Sequence, residues 1–349
     1  MTASGRISPT VFALALLPLA LLSLARAAHA APHLFTREGE AMGTLVSFSV
    51  LTDDDKGAAR AVEAGFDEIK RLEALMTTWS DTSDVSRVNA EAGIAPVHVS
   101  DETFEVIQMA QRTAQMSQGA FDISFYAMHG LWKFDEDLEV KVPSQAAIDA
   151  RLPLVDYREI VIDPSKKTVF LKKKGMGIGL GGIAKGYAVD RAVAILRRAG
   201  FDDAIVQAGG DLMFSGSKGG KPWTAGIRDP RGARDSFFAV LKLEDHAFST
   251  AGDYERYFFL DGKRYHHIID PKTGYPATRS RSVTIYAPNA FLADAIDDAV
   301  FILGWQKGIE LVDSMPDVGA VVVDDQGGVH VSKLMQDHVE ILRPPTDAP

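Results

Sequence analysis

The amino-acid sequence predicts an α+β protein in which antiparallel sheets pack against helices. Two observations carry this prediction: strand patterns outnumber helix patterns, and the strands follow one another in runs instead of alternating with helices. A third is the composition of the 349 residues, 46% hydrophobic and 24% charged, which is typical of a globular protein. We expect residues 31–349 to form one large domain, with a division into two lobes as the alternative.

Residues 1–30 have the pattern of a secretory signal peptide. Arg6 supplies a positive start, residues 11–24 are almost entirely apolar, and Ala28-His29-Ala30 is a small-x-small cleavage motif. We therefore expect the mature chain to begin near Ala31 and to be periplasmic. A retained membrane anchor is the alternative, but the apolar run is shorter than the roughly 20 residues that a span requires.

Charge and cysteine content exclude several classes of protein. The sequence has 37 Lys+Arg against 47 Asp+Glu, a formal charge of −10, which disfavours nucleic acid as a partner. It has no cysteine, so a disulfide scaffold, a zinc-thiolate site and a lipoprotein anchor are all excluded.

Hydrophobic periodicity and turn residues predict the individual elements in order along the chain. Helices are predicted over residues 58–75, 101–116 after the cap Ser100, 184–199 before Gly200, and 289–303 with Asn289 as its cap and Gly304 at its end. Strands are predicted over residues 44–51, 160–162, 168–172, 204–207, 223–227, 237–243, 247–249, 256–260, 283–287, 319–323 and 329–331. Two hairpins are expected, one turning at Asp163-Pro164 and one across residues 324–328.

A glycine cluster over residues 175–186 lies between a predicted strand and a predicted helix. Glycines let the backbone approach a ligand with its amides, and the helix start adds partial positive charge, so the segment suits a phosphate or pyrophosphate. Gly177, Gly179 and Gly182 satisfy G-x-G-x-x-G, but Ile183 follows where the Walker pattern requires lysine. A tight strand-to-helix turn is the alternative.

Three carboxylates, Asp294, Asp297 and Asp298, lie on one side of the last predicted helix. Like charges three and four positions apart oppose a helix, and a hard divalent cation would remove the conflict. Carboxylates without histidine or cysteine suit Mg²⁺ or Ca²⁺. The alternative is that acids near a helix start complement its dipole.

Adjacent histidines, His266 and His267, precede the turn segment 270–274. Adjacent residues on a strand point to opposite faces, so only one of them readily faces a site. A histidine of near-neutral pKa is a natural general base for a hydroxyl. Elsewhere, Met42, Trp79 and Phe121 would suit an apolar slot for a flat ring.

Seven short motifs follow one another along the chain: Met-Gly-Thr at 42–44, Trp-Ser at 79–80, Phe-Asp-Ile-Ser at 121–124, Leu-Gly-Gly-Ile-Ala-Lys-Gly-Tyr-Ala-Val-Asp at 180–190, Ala-Gly-Gly-Asp at 208–211, His-His-Ile-Ile-Asp-Pro-x-Thr-Gly at 266–274 and Ala-Asp-Ala at 293–295. Read in order, these motifs resemble the ApbE-type flavin transferases, the FAD:protein FMN transferases, from about Met42 to Gly304. The resemblance implies a T-fold-like architecture of that family.

The resemblance implies a reaction and a set of roles. FAD is bound with Mg²⁺, a Thr or Ser hydroxyl of another protein attacks its phosphorus on the riboflavin side, and AMP leaves. His267 is implied as the base that activates the hydroxyl. Implied metal ligands are Asp294, Asp298, the neighbouring Asp297 and the carbonyl of Gly182. Implied FAD contacts are Met42, Trp79, Ala120, Phe121, Asp122, Gly179, Lys185 and Ile269.

Two positions depart from the family pattern, and three other functions stay open. Gly179 stands where family members commonly carry Asp, and Asp298 stands where they commonly carry Thr. The alternatives to transfer are an FAD pyrophosphatase, a non-catalytic flavin-binding protein and, on the glycine pattern alone, a Rossmann-type nicotinamide oxidoreductase. The expected acceptor is a subunit of a membrane redox complex, and the sequence does not identify it.

Overall fold

The computed structural model describes residues 1–2, 31–134 and 141–347. The predicted signal peptide falls mainly on residues 3–30, which lie outside the described residues, so it stays a prediction. Within the described ranges, no helix has the length and apolar character needed to cross a membrane. Residues Pro32–Pro349 form one compact unit.

Sixteen strands and seven α-helices make up the described part of the chain. The strands are β1 His33–Ala41, β2 Thr44–Thr52, β3 Val97–His98, β4 Ile160–Asp163, β5 Thr168–Leu171, β6 Ala204–Ala208, β7 Asp211–Ser215, β8 Trp223–Arg228, β9 Phe237–Leu243, β10 His246–Gly252, β11 Tyr257–Leu260, β12 Lys263–His266, β13 Ser280–Ala287, β14 Gly319–Asp324, β15 Val329–Val331 and β16 Val339–Ile341. The helices are α1 Asp55–Met76, α2 Asp84–Ala90, α3 Asp101–Met116, α4 Gln145–Arg151, α5 Ala184–Arg198, α6 Ala290–Leu303 and α7 Trp305–Asp313.

An eight-stranded sheet with the order β1-β2-β6-β7-β10-β13-β14-β15 is the centre of the fold. Each of its strand pairs is antiparallel. Smaller antiparallel sheets are β16-β9-β8, β3-β5-β4 and the hairpin β11-β12. This arrangement confirms the predicted α+β class.

The two faces of the large sheet pack against different partners because side chains alternate along each strand. On β14, Ala320 and Val322 join the hydrophobic core that includes buried residues of α1, α5 and α6. The alternate residues Val321 and Val323 join a second core with buried residues of the β16-β9-β8 sheet. The sheet therefore lies between a helical layer and a smaller sheet.

The four predicted helices are confirmed as α1, α3, α5 and α6. Their ends have the expected chemistry: Ser100 caps α3 by accepting from the amide of Thr103, and Asn289 caps α6 by accepting from that of Leu292. The two predicted hairpins are confirmed as β4-β5 and β14-β15.

The prediction missed α2, α4, α7 and five strands, among them β1, which pairs with β2 at one edge of the large sheet. Only Phe35 and Ala41 are buried in β1, so its sequence lacks the alternation that marks a half-buried strand. Met42 and Gly43 form the connecting turn with φ of 52° and 69°. Two positive φ values are typical of the turn that matches strand twist in a two-residue hairpin.

Candidate active site

The starts of α5 and α6 cap each other. Oδ2 of Asp294, on α6, accepts from the amide of Gly186, on α5, at 2.8 Å. In return, Asp190 of α5 accepts from the amides of Ala290 and Phe291, each at 2.9 Å. A Cβ at Gly186 would lie 2.2 Å from the carbonyl oxygen of Ala290, so the close approach requires glycine. The glycine segment and the acidic helix, about 100 residues apart in sequence, therefore meet.

Three buried carboxylates cluster at this junction. Asp211, Asp294 and Asp297 each place an oxygen within 4.8 Å of the others. Asp211 follows the Gly209-Gly210 turn at the start of β7 and is 1% exposed. The Ala-Gly-Gly-Asp motif is visible in the sequence, but it predicts no role for Asp211. The signal was an acid directly after two glycines, which is a common feature of turns and does not indicate a ligand by itself.

Lys185 and Ser249 connect the carboxylates. Nζ of Lys185 lies 2.7 Å from Oδ2 of Asp211 and 3.4 Å from Oδ1 of Asp294. Oγ of Ser249 lies 2.5 Å from both Asp211 Oδ1 and Asp297 Oδ2. A hydroxyl has one hydrogen to donate, so Ser249 donates fully to only one of these two carboxylates at a time.

Burial raises the pKa values of the acids on α6. It raises the pKa of Asp294 to about 7, with the charge of Asp211 adding to the effect and that of Lys185 opposing it. Burial, with Asp298 and Asp294 as neighbours, raises the pKa of Asp297 well above its ordinary value. Burial would lower the pKa of Lys185, but Asp211 and Asp294 outweigh it, so the lysine is held protonated.

The residues at the junction fit a hard divalent cation. All the side-chain donors are carboxylate oxygens, the donor type preferred by Mg²⁺ and Ca²⁺. Oδ2 of Asp211 is buried. Within the described ranges it makes no hydrogen bond of good geometry, although it forms an ion pair with Nζ of Lys185 at 2.7 Å. Four carboxylates, counting Asp298, lie around one lysine, so a divalent cation would offset two of the three remaining negative charges.

Asp298 links this cluster to a cleft of about 260 Å³. A Cβ at Gly182 would lie 3.0 Å from Oδ2 of Asp298, so the glycine turn and α6 are in close contact at this point. Burial raises the pKa of Asp298 to about 6. The predicted residues that line the cleft are Ala120, Phe121, Asp122, Gly179, Gly182, His267, Ile269 and Asp298.

The two adjacent histidines differ in environment, as the strand argument predicted. His266 is buried, and its Nε2 donates to the carbonyl of Ala277 at 2.7 Å. His267 lines the cleft and keeps an exposed surface. Partial loss of water lowers its pKa, and His266 and Arg256 act in the same direction. Because the ring stays partly hydrated, the depression is smaller than complete burial would cause. His267 is therefore neutral near pH 7, as a general base must be.

Asp122 lies in the cleft wall but its carboxylate is used by the protein. Oδ1 accepts from the amide and hydroxyl of Ser124, and Oδ2 accepts from the amide of Tyr157 at 2.8 Å. Burial raises its pKa. Asp122 thus shapes the wall next to Phe121, and its backbone is the part left to contact a ligand.

Of the three residues predicted to form an apolar slot, Met42, Trp79 and Phe121, the cleft lining includes Phe121 but not the other two. Phe121 lines the cleft, whereas the side chain of Trp79 is 86% exposed and meets the ring of His129 edge-on at 6.0 Å. Met42 lies in the β1-β2 turn. Arg256 connects that turn to the histidine segment. Its guanidinium donates to the carbonyl of Gly43 at 3.4 Å, and its backbone carbonyl accepts from the amide of His267.

The glycine at position 179 has a packing explanation. A Cβ there would lie 2.9 Å from Cδ2 of Tyr126, and one at Gly177 would lie 2.9 Å from Cδ1 of the same ring. Tyr126 stacks on His129 with ring centroids 4.8 Å apart, and both residues line the cleft. The aromatic ring therefore fills the space that a side chain at 179 would need. Neither Tyr126 nor His129 is among the site residues predicted from the sequence.

Comparison with known proteins agrees with this geometry. Residues 42–322 match the model of the ApbE family. An FAD:protein FMN transferase of Treponema pallidum (strain Nichols) is 35% identical over 327 residues, covering 88% of this chain and 89% of that protein. One of Klebsiella pneumoniae (strain 342) is 34% identical over 283 residues, covering 81% and 86%.

Solved structures show the same fold. The crystal structure of the ApbE protein of Thermotoga maritima has a TM-score of 0.80 at 35% identity and covers 88% of this chain and 99% of that one. The apo flavinyl transferase ApbE of Pseudomonas stutzeri has a TM-score of 0.76 at 27% identity, covering 88% and 97%. The resemblance inferred from the motifs is confirmed: this chain belongs to the ApbE family.

Proposed function

We propose that this transferase moves the FMN part of FAD, in a Mg²⁺-dependent reaction, onto a Thr or Ser hydroxyl of an acceptor protein and releases AMP. One observation carries the proposal. A single cleft has His267 and Asp298 in its lining, with the buried carboxylate cluster directly behind Asp298. A base for a hydroxyl and a cation site for a pyrophosphate are thus close enough to act on one substrate.

In the proposed step, the acceptor oxygen forms a bond to the riboflavin-side phosphorus and the bond from that phosphorus to the AMP oxygen breaks. His267 takes the hydroxyl proton. The amides of Gly181 and Gly182, at the open start of α5, are suited to hold phosphate oxygens. Lys185 stays protonated and keeps Asp211 and Asp294 in place.

Asp211, Asp294, Asp297 and Asp298 would hold the cation, and the carbonyl of Gly182 is a further candidate ligand. When bound, Mg²⁺ neutralises charge on the pyrophosphate and on the departing AMP. The buried Asp211 carboxylate, which places an oxygen within 4.8 Å of oxygens of Asp294 and Asp297, supports this assignment and adds Asp211 to the ligands that the resemblance implies.

The test is incubation of the purified protein with FAD, Mg²⁺ and the membrane fraction of its own source. Transfer predicts a fluorescent, covalently flavinylated band in a denaturing gel, with an FMN adduct on Thr or Ser by mass spectrometry. EDTA and the His267→Ala variant should each abolish the band. A band that persists unchanged in the variant would remove His267 from its role.

The same reaction without acceptor separates transfer from hydrolysis. Rapid release of AMP and FMN, with no modified protein in the complete mixture, would instead identify an FAD pyrophosphatase. FAD binding with no release of AMP under either condition would identify a flavin-binding protein without activity.

Export completes the proposal. The pattern of residues 1–30 supports secretion to the periplasm, where the acceptor would be a periplasmic part of a membrane redox complex. Cell fractionation and N-terminal sequencing test this: a mature protein that begins near Ala31 in the periplasmic fraction is expected, and an unprocessed cytoplasmic protein would contradict it.

A further inference from the structure

We propose that Asn89 is a positioning residue of the flavin site, which holds the extended segment Gly177-Ile178-Gly179 in the shape that FAD binding requires. The side-chain amide of Asn89 donates to the carbonyl of Ile178 at 2.9 Å, and its Oδ1 accepts from the amide of Ile178 at 2.7 Å. One side chain therefore makes the pair of bonds that a neighbouring β-strand would make.

The opposite edge of this segment is also paired. The amide of Gly179 donates to the carbonyl of Ile123, in the cleft wall, at 3.0 Å. Successive amides of an extended chain point to opposite sides, so Ile178 turns to Asn89 and Gly179 turns to Ile123. The ring of Tyr126 covers both glycines, and the Ile178 side chain is fully buried. Asn89 thus supplies one complete edge of the support.

Asn89 is itself held firmly, because α2 is fixed at its start. Ser83 caps α2 through the amide of Ser86 and donates from its hydroxyl to the carbonyl of Thr77 at 2.6 Å. Oδ2 of Asp84 accepts from the amide and hydroxyl of Ser100, at the start of α3. Val85 and Val88 are buried in the core. A bond from a rigid helix fixes the segment more firmly than one from a loop would.

The segment leads straight into the cleft. Gly179 and Gly182 line it, and only two residues separate them. A displacement at Ile178 would therefore move the glycine amides and the contact between Gly182 and Asp298. Backbone amides bind phosphate only when their N–H groups point at its oxygens. A small displacement of the glycine amides therefore lowers the affinity for FAD while the core stays intact. The inference rests on the proposed function only in requiring that FAD binds in this cleft.

Two variants separate hydrogen bonding from packing. Asn89→Asp has nearly the same shape but replaces the donor by an oxygen that faces the Ile178 carbonyl, and Asn89→Ala removes both bonds. The matched control is Ser332→Ala, outside the cleft, since the buried Ser332 hydroxyl accepts from the amide of Ala320 at 2.8 Å. Loss of the Ser332 hydroxyl, like the changes at Asn89, removes a hydrogen bond between a side chain and the main chain.

The measurement is FAD affinity by flavin fluorescence, together with hydrogen exchange of the peptide that contains Ile178. We expect Asn89→Ala and Asn89→Asp to weaken FAD binding about tenfold or more and to speed exchange in that peptide, with Ser332→Ala within twofold of wild type in both. Either Asn89 variant, folded and within twofold of wild type in FAD affinity, would overturn the inference. If wild-type protein binds FAD but modifies no acceptor, the proposed function fails, and Asn89 is still judged by its affinity.

Discussion

The carboxylate cluster predicts that the metal-free protein becomes more stable when one of its buried aspartates is replaced by asparagine. The perturbation is Asp294→Asn, which keeps the shape of the side chain and an oxygen to accept from the amide of Gly186. Burial raises the pKa of Asp294 from 3.8 to about 7. That difference corresponds to about 4 kcal/mol of penalty for the charged form at pH 8.

The sign follows from proton binding. Between pH 3.8 and 7 the folded protein holds the proton on Asp294 more strongly than the unfolded chain, so the metal-free protein loses stability as the pH rises through this window. The asparagine variant has no charge to penalise, but with its oxygen on the amide of Gly186 its NH2 group replaces Oδ1, 3.4 Å from the ammonium of Lys185, and two donors cannot bond to each other. We therefore expect a net gain of about 2 kcal/mol at pH 8, or roughly 4 °C in Tm.

The assay is thermal unfolding at pH 8 in EDTA and then in excess Mg²⁺. Wild type should gain Tm from Mg²⁺, because a ligand that binds only the folded state stabilises it, and Asp294→Asn should gain little. Asp190→Asn is the matched control, since Asp190 also caps a helix start but lies outside the cluster, and it should keep the full response to Mg²⁺. A lower Tm for Asp294→Asn than for wild type in EDTA, or an equal response to Mg²⁺, would refute the reasoning.

Three further predictions concern the cleft and its support. Ser249→Ala should raise the Mg²⁺ concentration for half-maximal AMP release about tenfold, since the two proposed ligands Asp211 and Asp297 lose their shared hydroxyl. An unchanged Mg²⁺ titration would contradict this prediction. Gly179→Asp should lower the free energy of unfolding, measured with denaturant, by about 1–3 kcal/mol, because the new Cβ would clash with the ring of Tyr126. Adding Tyr126→Ala should recover part of that loss. If the effects of the two substitutions are strictly additive, the clash is not the cause. The transfer rate should be level between pH 7 and 8 and fall only at pH values below 6.5, the ordinary pKa of histidine, because the lowered pKa keeps His267 neutral at pH 7. A rate that is still rising between pH 7 and 8 would count against His267 as the base.

The local elements were largely predictable because their signals are local. The stripe of apolar residues in α1, the caps Ser100 and Asn289, and the turns of the two hairpins each depend on neighbours within a few residues. Strand β1 was not predicted because this edge strand exposes most of its side chains, so its sequence lacks the alternation of a half-buried strand. The family was predictable for a different reason, since the order of seven short motifs is specific even where each one is common.

The chemistry of single residues was decided by contacts between distant parts of the chain. The sequence by itself determined which residue types are available: a glycine segment, an acidic helix and a histidine pair. Only the tertiary structure decided that Asp211 joins the carboxylate cluster, that Tyr126 occupies the space above Gly179, and that Asn89 supports the glycine segment from α2. Each of these depends on a contact between residues that lie 53 or more positions apart in sequence, and no periodicity or spacing along the chain reports such a contact.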